Sequence, residues 1–214
     1  MADMSTSMQP LGLLWLGLLL GLRHAADADH VAAVGAIAAR TRQLWPAAQL
    51  GIVWGLGHTL TLATVAGAIV LFNLAVPPRI ALSLELCVAG ALVVVGLLNI
   101  RAHSHEPDTR APRGAFLFGL IHGLAGSAAI ALIVVTTVRD PRWVLAYLLV
   151  FGLGTLAGMT LITAGFALPI VLAAHRWHGG GRMIRVVSGV ASFATGLWLA
   201  YQVGWSDGLF TAQL

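Results

Sequence analysis

Apolar runs of about twenty or more residues follow one another along nearly the whole chain, at residues 10–39, 46–74, 79–101, 114–138, 143–174 and 183–203. A stretch of about 20 such residues crosses a 30 Å hydrocarbon core as a helix. The alternative, a soluble protein burying every run, lacks the polar surface it would need. Charged residues make up 9% and hydrophobic ones 58%, with a mean hydropathy of +0.89, against about 25% charged residues in an ordinary soluble domain. The expected fold is an all-α integral membrane protein of about six transmembrane helices, one polytopic domain over residues 1–214. Three runs approach 30 residues, so these helices tilt, extend beyond the bilayer or break within it. Internal glycines offer places to break: Gly17 and Gly21, Gly55 and Gly57, and Gly152, Gly154, Gly158 and Gly165 with Pro169.

Inside the first run the sequence reads Arg23-His24-Ala25-Ala26-Asp27-Ala28-Asp29-His30, five ionisable groups in eight residues. Each charge at a bilayer centre costs about 2.5 to 3.5 kcal/mol on lenient scales, so Arg23, Asp27 and Asp29 together risk roughly 8 kcal/mol unless they compensate one another. Such a cluster marks a functional site by default. On a continuous helix His24, Asp27 and His30 fall within about 120° of arc while Asp29 faces away. Imidazole and carboxylate donors without thiolates suit a divalent first-row metal such as Ni, Co, Zn or Mn. Should the helix unwind near residues 25–28, Asp29 can swing in as a ligand. Otherwise it orients a ligand histidine or pairs with Arg23.

The tetrapeptide Gly-Leu-x-His occurs three times, as Gly21-Leu22-Arg23-His24, Gly55-Leu56-Gly57-His58 and Gly119-Leu120-Ile121-His122, and Gly152-Leu153-Gly154-Thr155 keeps the frame with Thr in place of His. Small residues before a polar one let helices approach closely or unwind, bringing polar groups from several spans together. Plain glycine packing with hydrogen-bonded histidines is the competing explanation. The recurrence suggests two related halves, spans 1–3 and 4–6, which with three spans each are inverted repeats. His58, at a depth similar to His24, is the residue expected to join the site, with Thr59 and Thr61 beside it. Glu85, toward the outer end of span 3, and His122, toward the inner part of span 4, would mark entry and exit of a path; Glu85 alternatively pairs with Arg79 or Arg23. Ser127 packs a helix interface. His103, His105, His175 and His178 read as loop histidines, although the first two would also suit a metal on the exit side.

The chain has twelve Arg and no Lys, which removes P-loop, Schiff-base and Ser-Lys chemistry. The single Cys87 excludes an internal disulfide. A few loop arginines account for the basic charge balance, and nucleic acid is not an expected partner. No basic region or cleavage site precedes the first run, which reads as a retained span. Arginines near span ends number eight on one side (Arg40, Arg42, Arg101, Arg110, Arg113, Arg176, Arg182, Arg185) and three on the other (Arg79, Arg139, Arg142), which places both termini outside.

The Arg23–His30 segment resembles the H-x4-D-H signature of nickel/cobalt transporters, most closely its R-H-A-x-D-A-D-H form. Trp54-Gly55-Leu56-Gly57-His58-Thr59 is similar to that family's G-H-S/T signature. The stretch from Gly119 through His122 to Ser127 and Ala128 is similar to one in its short branch, the urease-accessory-type nickel permeases. The likeness runs over roughly residues 12–203. It implies uptake of Ni2+ or Co2+ across the cytoplasmic (inner) membrane of a prokaryote, with His24, Asp29 and His30 in the recognition signature. Two features depart from the larger members: about eight spans, and an acidic L-G-x-D-T-A-T-E signature that is missing here.

The expected function is thus a permease in which the cation sheds water at His24, Asp27 or Asp29, His30 and His58, and leaves inward past His122. Membrane potential supplies about 4.6 kcal/mol per 100 mV for a doubly charged ion, roughly a thousandfold accumulation. Protonation of the histidines should weaken binding as pH falls through about 6.5. No enzyme activity and no prosthetic group is expected; the partners are the metal ion, membrane lipids, a cytoplasmic metal acceptor and a second copy in a homo-oligomer. Three other classes use fewer of these residues: an anion exporter with Arg23 facing the path, an intramembrane hydrolase with Ser127 as nucleophile, and a haem-binding carrier using His58 and His122.

Overall fold

A computed structural model describes residues 10–41, 43–72, 74, 77–102, 111–125, 140–174 and 180–211. All regular structure among them is helical: α1 Pro10–His24, α2 Ala28–Ala38, α3 Leu44–Phe72, α4 Pro78–Arg101, α5 Ala111–Leu124, α6 Pro141–Ala174 and α7 Gly180–Tyr201, the last running on into a π turn at Gln202–Ser206. Four helices are long and apolar enough to cross a membrane, and the α1–α2 pair, bent by 57° across its break, makes a fifth candidate. The expected fourth span, 114–138, is seen only as the 14-residue α5, because residues 126–139 are not among those described. Ser127, His103, His105, His175 and His178 also lie outside the described residues.

Only the first of the three long runs breaks. α3 and α6 are continuous through Gly55, Gly57, Gly152, Gly154, Gly158, Gly165 and Pro169, so of the three alternatives for these long runs a break is not the one adopted. At 29 and 34 residues they are about 43 and 51 Å long, beyond a bilayer core unless tilted or extended past it. Most of their glycines serve close approach instead, since a side chain there would run into a neighbouring helix. On Gly57 it would meet Phe116 O and Leu120 N of α5, and on Gly119 it would meet Trp54 O and His58 N of α3. The α1–α6 pair repeats this arrangement: Gly21 lies against Phe151 O and Thr155 N, and Gly154 against Leu18 O and Leu22 N. In α4 and α7 the same reciprocity appears, Gly96 against Gly189 O and Phe193 N, and Gly196 against Ala89 O and Val93 N.

At the other end of α2, Asn99 of α4 is buried, donates its Nδ2 to Ala36 O at 2.6 Å and accepts from Arg40 Nε. Arg185 lies inside α7, buried rather than in a loop, and donates to Ala102 O at 2.5 Å. Arg40, the end of α4 and Arg185 are thereby gathered at one end of the bundle.

The glycine contacts yield a direct test. Gly119→Leu should drive α3 and α5 apart at a cost of at least about 1 to 3 kcal/mol, the usual range for overpacking. Gly90→Leu, at an exposed position with nothing within 4 Å of the new Cβ, should leave thermal unfolding in detergent unchanged. Equal unfolding temperatures for the two variants would contradict the close approach.

Candidate metal centre

The break that follows α1 puts its last residue, His24, at a helix end. Ala26 N bonds to Arg23 O and Asp27 N to His24 O, tightening the final turn. Asp27 then adopts an extended conformation (φ −63°, ψ 150°) as the residue before α2, and Val31 N bonds to its carbonyl. Its carboxylate does not cap α2. It turns back instead and accepts a hydrogen bond from His24 Nδ1 at 2.8 Å, its own side chain 46% exposed.

Asp29 lies in the first turn of α2, where the helix dipole favours an acidic residue. Oδ1 accepts from the His30 backbone N at 2.9 Å and from His30 Nδ1 at 3.1 Å, and Oδ2 accepts from His122 Nε2 at 2.9 Å. The change of direction after His24 thus brings Asp29 to the centre, whereas the continuous-helix reading turned it away. A carboxylate can only accept, which assigns the protons to His24 Nδ1, His30 Nδ1 and His122 Nε2 and leaves the opposite ring nitrogens with free lone pairs.

Those opposite nitrogens are the ones left over. His24 Nε2, His30 Nε2, both nitrogens of His58 and Nδ1 of His122 are buried and make no hydrogen bond among the described residues. The four rings sit together: centroids are 4.5 Å apart for His24 and His30, 5.2 Å for His30 and His58, 5.4 Å for His24 and His58, 4.2 Å for His30 and His122, and 5.9 Å for His58 and His122. Ligand atoms of His24, His30 and His58 all lie within 4.8 Å of one another, as do those of Asp29, His30 and His122. Leaving a buried polar atom unpaired costs about 1 to 3 kcal/mol, so several in one place call for a ligand.

Other expected residues are placed differently. His122 stands in the cluster itself and not at a separate exit. Thr59 bonds to Gly152 O at 3.1 Å, joining α3 to α6, and Thr61 bonds to Gly57 O within its own helix. Glu85 is half-buried on α4, and among the described residues neither it nor the exposed Arg23 forms an ion pair. Trp54, given no role from sequence, stacks on His30 at 5.7 Å and closes one wall together with Phe118, 5.6 Å from His122. Its spacing was a usable signal, since Trp54 precedes His58 by four residues and so shares its helix face.

Substituting Asp29→Asn should weaken nickel binding by purified protein about 10- to 100-fold, the usual loss when a residue orienting ligand histidines is removed. Unchanged affinity in a calorimetric titration would contradict the role given to this carboxylate.

Comparison with known proteins gives an independent line. The family model described as high-affinity nickel-transport protein matches residues 11–105. A urease accessory protein, UreH, of Bacillus sp. (strain TB-90) is 34% identical over 218 residues, covering 94% of this chain and 95% of the relative. No solved structure matches.

Proposed function

This chain belongs to the family of high-affinity nickel-transport proteins, and from that premise we propose that nickel crosses it by exchanging water for the imidazoles of His24, His30 and His58. The protein is a nickel permease and a multi-pass membrane protein, not an enzyme. The anion-exporter, hydrolase and haem-carrier alternatives fall away with that membership. The observation that carries the site assignment is the group of buried, unpartnered imidazole nitrogens at the end of a broken helix. Imidazole is a good donor for nickel, and the same set would accept cobalt as a second cargo.

Asp27 and Asp29 orient the ligand rings in this reading, and the half-exposed Asp27 is also the carboxylate best placed to meet an arriving ion. The carbonyl end of α1 adds its negative dipole at the same point, a use of half-helix ends common to secondary transporters. Six spans in two inverted halves are supported by the reciprocal glycine contacts, in which Gly21 and Gly119, Gly57 and Gly154, and Gly96 and Gly196 occupy matching places. The gathering of Arg40, the end of α4 and Arg185 supports one arginine-rich side, hence both termini outside and import toward the cytoplasm of a prokaryote. Because the Bacillus relative is a urease accessory protein, a urease is the proposed acceptor of the imported metal.

Uptake of radioactive nickel tests this. His24→Ala and His58→Ala, inserted normally, should each lower uptake by more than about tenfold, the lower end of the loss from removing even an outer partner. Thr64→Val, on an exposed part of α3, should transport normally. Normal uptake by both histidine variants would overturn the site. Because imidazole must be neutral to bind metal, nickel affinity should fall as pH is lowered, and titrations at stepped pH check the sign.

A further inference from the structure

Two triads run through the cluster: His24, His30 and His58 form one, and Asp29, His30 and His122 the other. His30 belongs to both. Its Nδ1 lies 3.1 Å from Asp29 Oδ1, whereas its Nε2 is buried without a partner among the described residues. His24 and His122 hold matching places in the two halves. Each is in the closing turn of a helix described over 15 or 14 residues, and each accepts a hydrogen bond from three residues on, Asp27 N for His24 O and Ala125 N for His122 O. Each also lies three residues after a glycine seated against a neighbouring backbone, Gly21 for His24 and Gly119 for His122. The two halves thus present one helix-end imidazole apiece, on either side of His30.

We propose that the cluster holds two overlapping nickel positions sharing His30, and that the ion crosses the centre by exchanging His24 and His58 for Asp29 and His122. This rests on the permease reading above. A single tight three-imidazole site would retain its ion, whereas conduction requires sites adjacent enough for the ion to leave one for the next. A shared ligand keeps the ion coordinated during the step, so the cost of a bare charge inside the membrane does not arise. The first position is the resting one, because its nitrogens are free. The second is closed by the hydrogen bonds from His30 and His122 to Asp29, which the ion parts as it takes the carboxylate, each ring keeping its proton and binding through its other, unpartnered nitrogen.

The test separates equilibrium binding from transport, using nickel chloride with full-length protein in detergent and in proteoliposomes. His122→Ala and His122→Gln should bind one nickel with affinity within about tenfold of the unaltered protein, a loss no larger than that of an outer partner. The same variants should lower radioactive nickel flux by well over tenfold. His58→Ala, in contrast, should lose equilibrium binding and flux together. Should the alanine variant fail to elute as a folded protein, the glutamine variant decides. Unaltered flux in a folded His122 variant would overturn the hand-over, and so would loss of binding as complete as in His58→Ala, which would make the cluster one site. Absence of nickel binding by the unaltered protein would remove the permease site itself, and this proposal with it.

Discussion

The carboxylate of Asp29 accepts hydrogen bonds from His30 and His122 at once, and through them it ties the second half of a broken span to α5. A change of direction between α1 and α2 makes this geometry available. On an unbroken helix the carboxylate would face away from His24 and His30, and the charge would have to be buried against lipid or paired elsewhere. With the 57° bend it sits where two imidazoles can neutralise its hydrogen-bonding demand. The same two bonds fix which nitrogen of each ring is left free, so one acidic side chain sets the chemistry of two histidines.

Close packing does the rest. Gly57 and Gly119 let α3 and α5 approach backbone to backbone, which sets His58 and His122 side by side. Gly21 and Gly154 do the same for α1 and α6, holding His24 against Phe151 at 5.6 Å. Hydrophobic burial does not distinguish helix neighbours from lipid tails, so small residues and polar contacts must decide which helices meet. In this chain the two means are combined in a single tetrapeptide, glycine for approach and histidine for the buried polar group. The glycine-packing and metal-site explanations of Gly-Leu-x-His are therefore compatible.

The positions of the helices were legible in the apolar runs, and α3, α4 and α7 begin and end within a few residues of expectation. The unwinding near residues 25–28 was legible as an alternative, because charged groups and a stretch of small residues coincide there. Its consequence for Asp27 and Asp29 was not, since a helical wheel assumes the continuity that is lost. The continuity of α3 and α6 could not be read from glycine content, which signals close approach and breakage equally well. His122 was assigned to a separate depth because span boundaries set depth only coarsely. Its place in the Gly-Leu-x-His series was the better guide.

Central to this account is that imidazole nitrogens, oriented by carboxylates, form the coordination shell that nickel meets inside the membrane. X-ray absorption at the nickel edge of the loaded, purified protein measures that shell directly. The account predicts scattering from about three imidazole rings, the number in the His24, His30 and His58 triad. A shell of oxygen donors alone, without imidazole scattering, would contradict it.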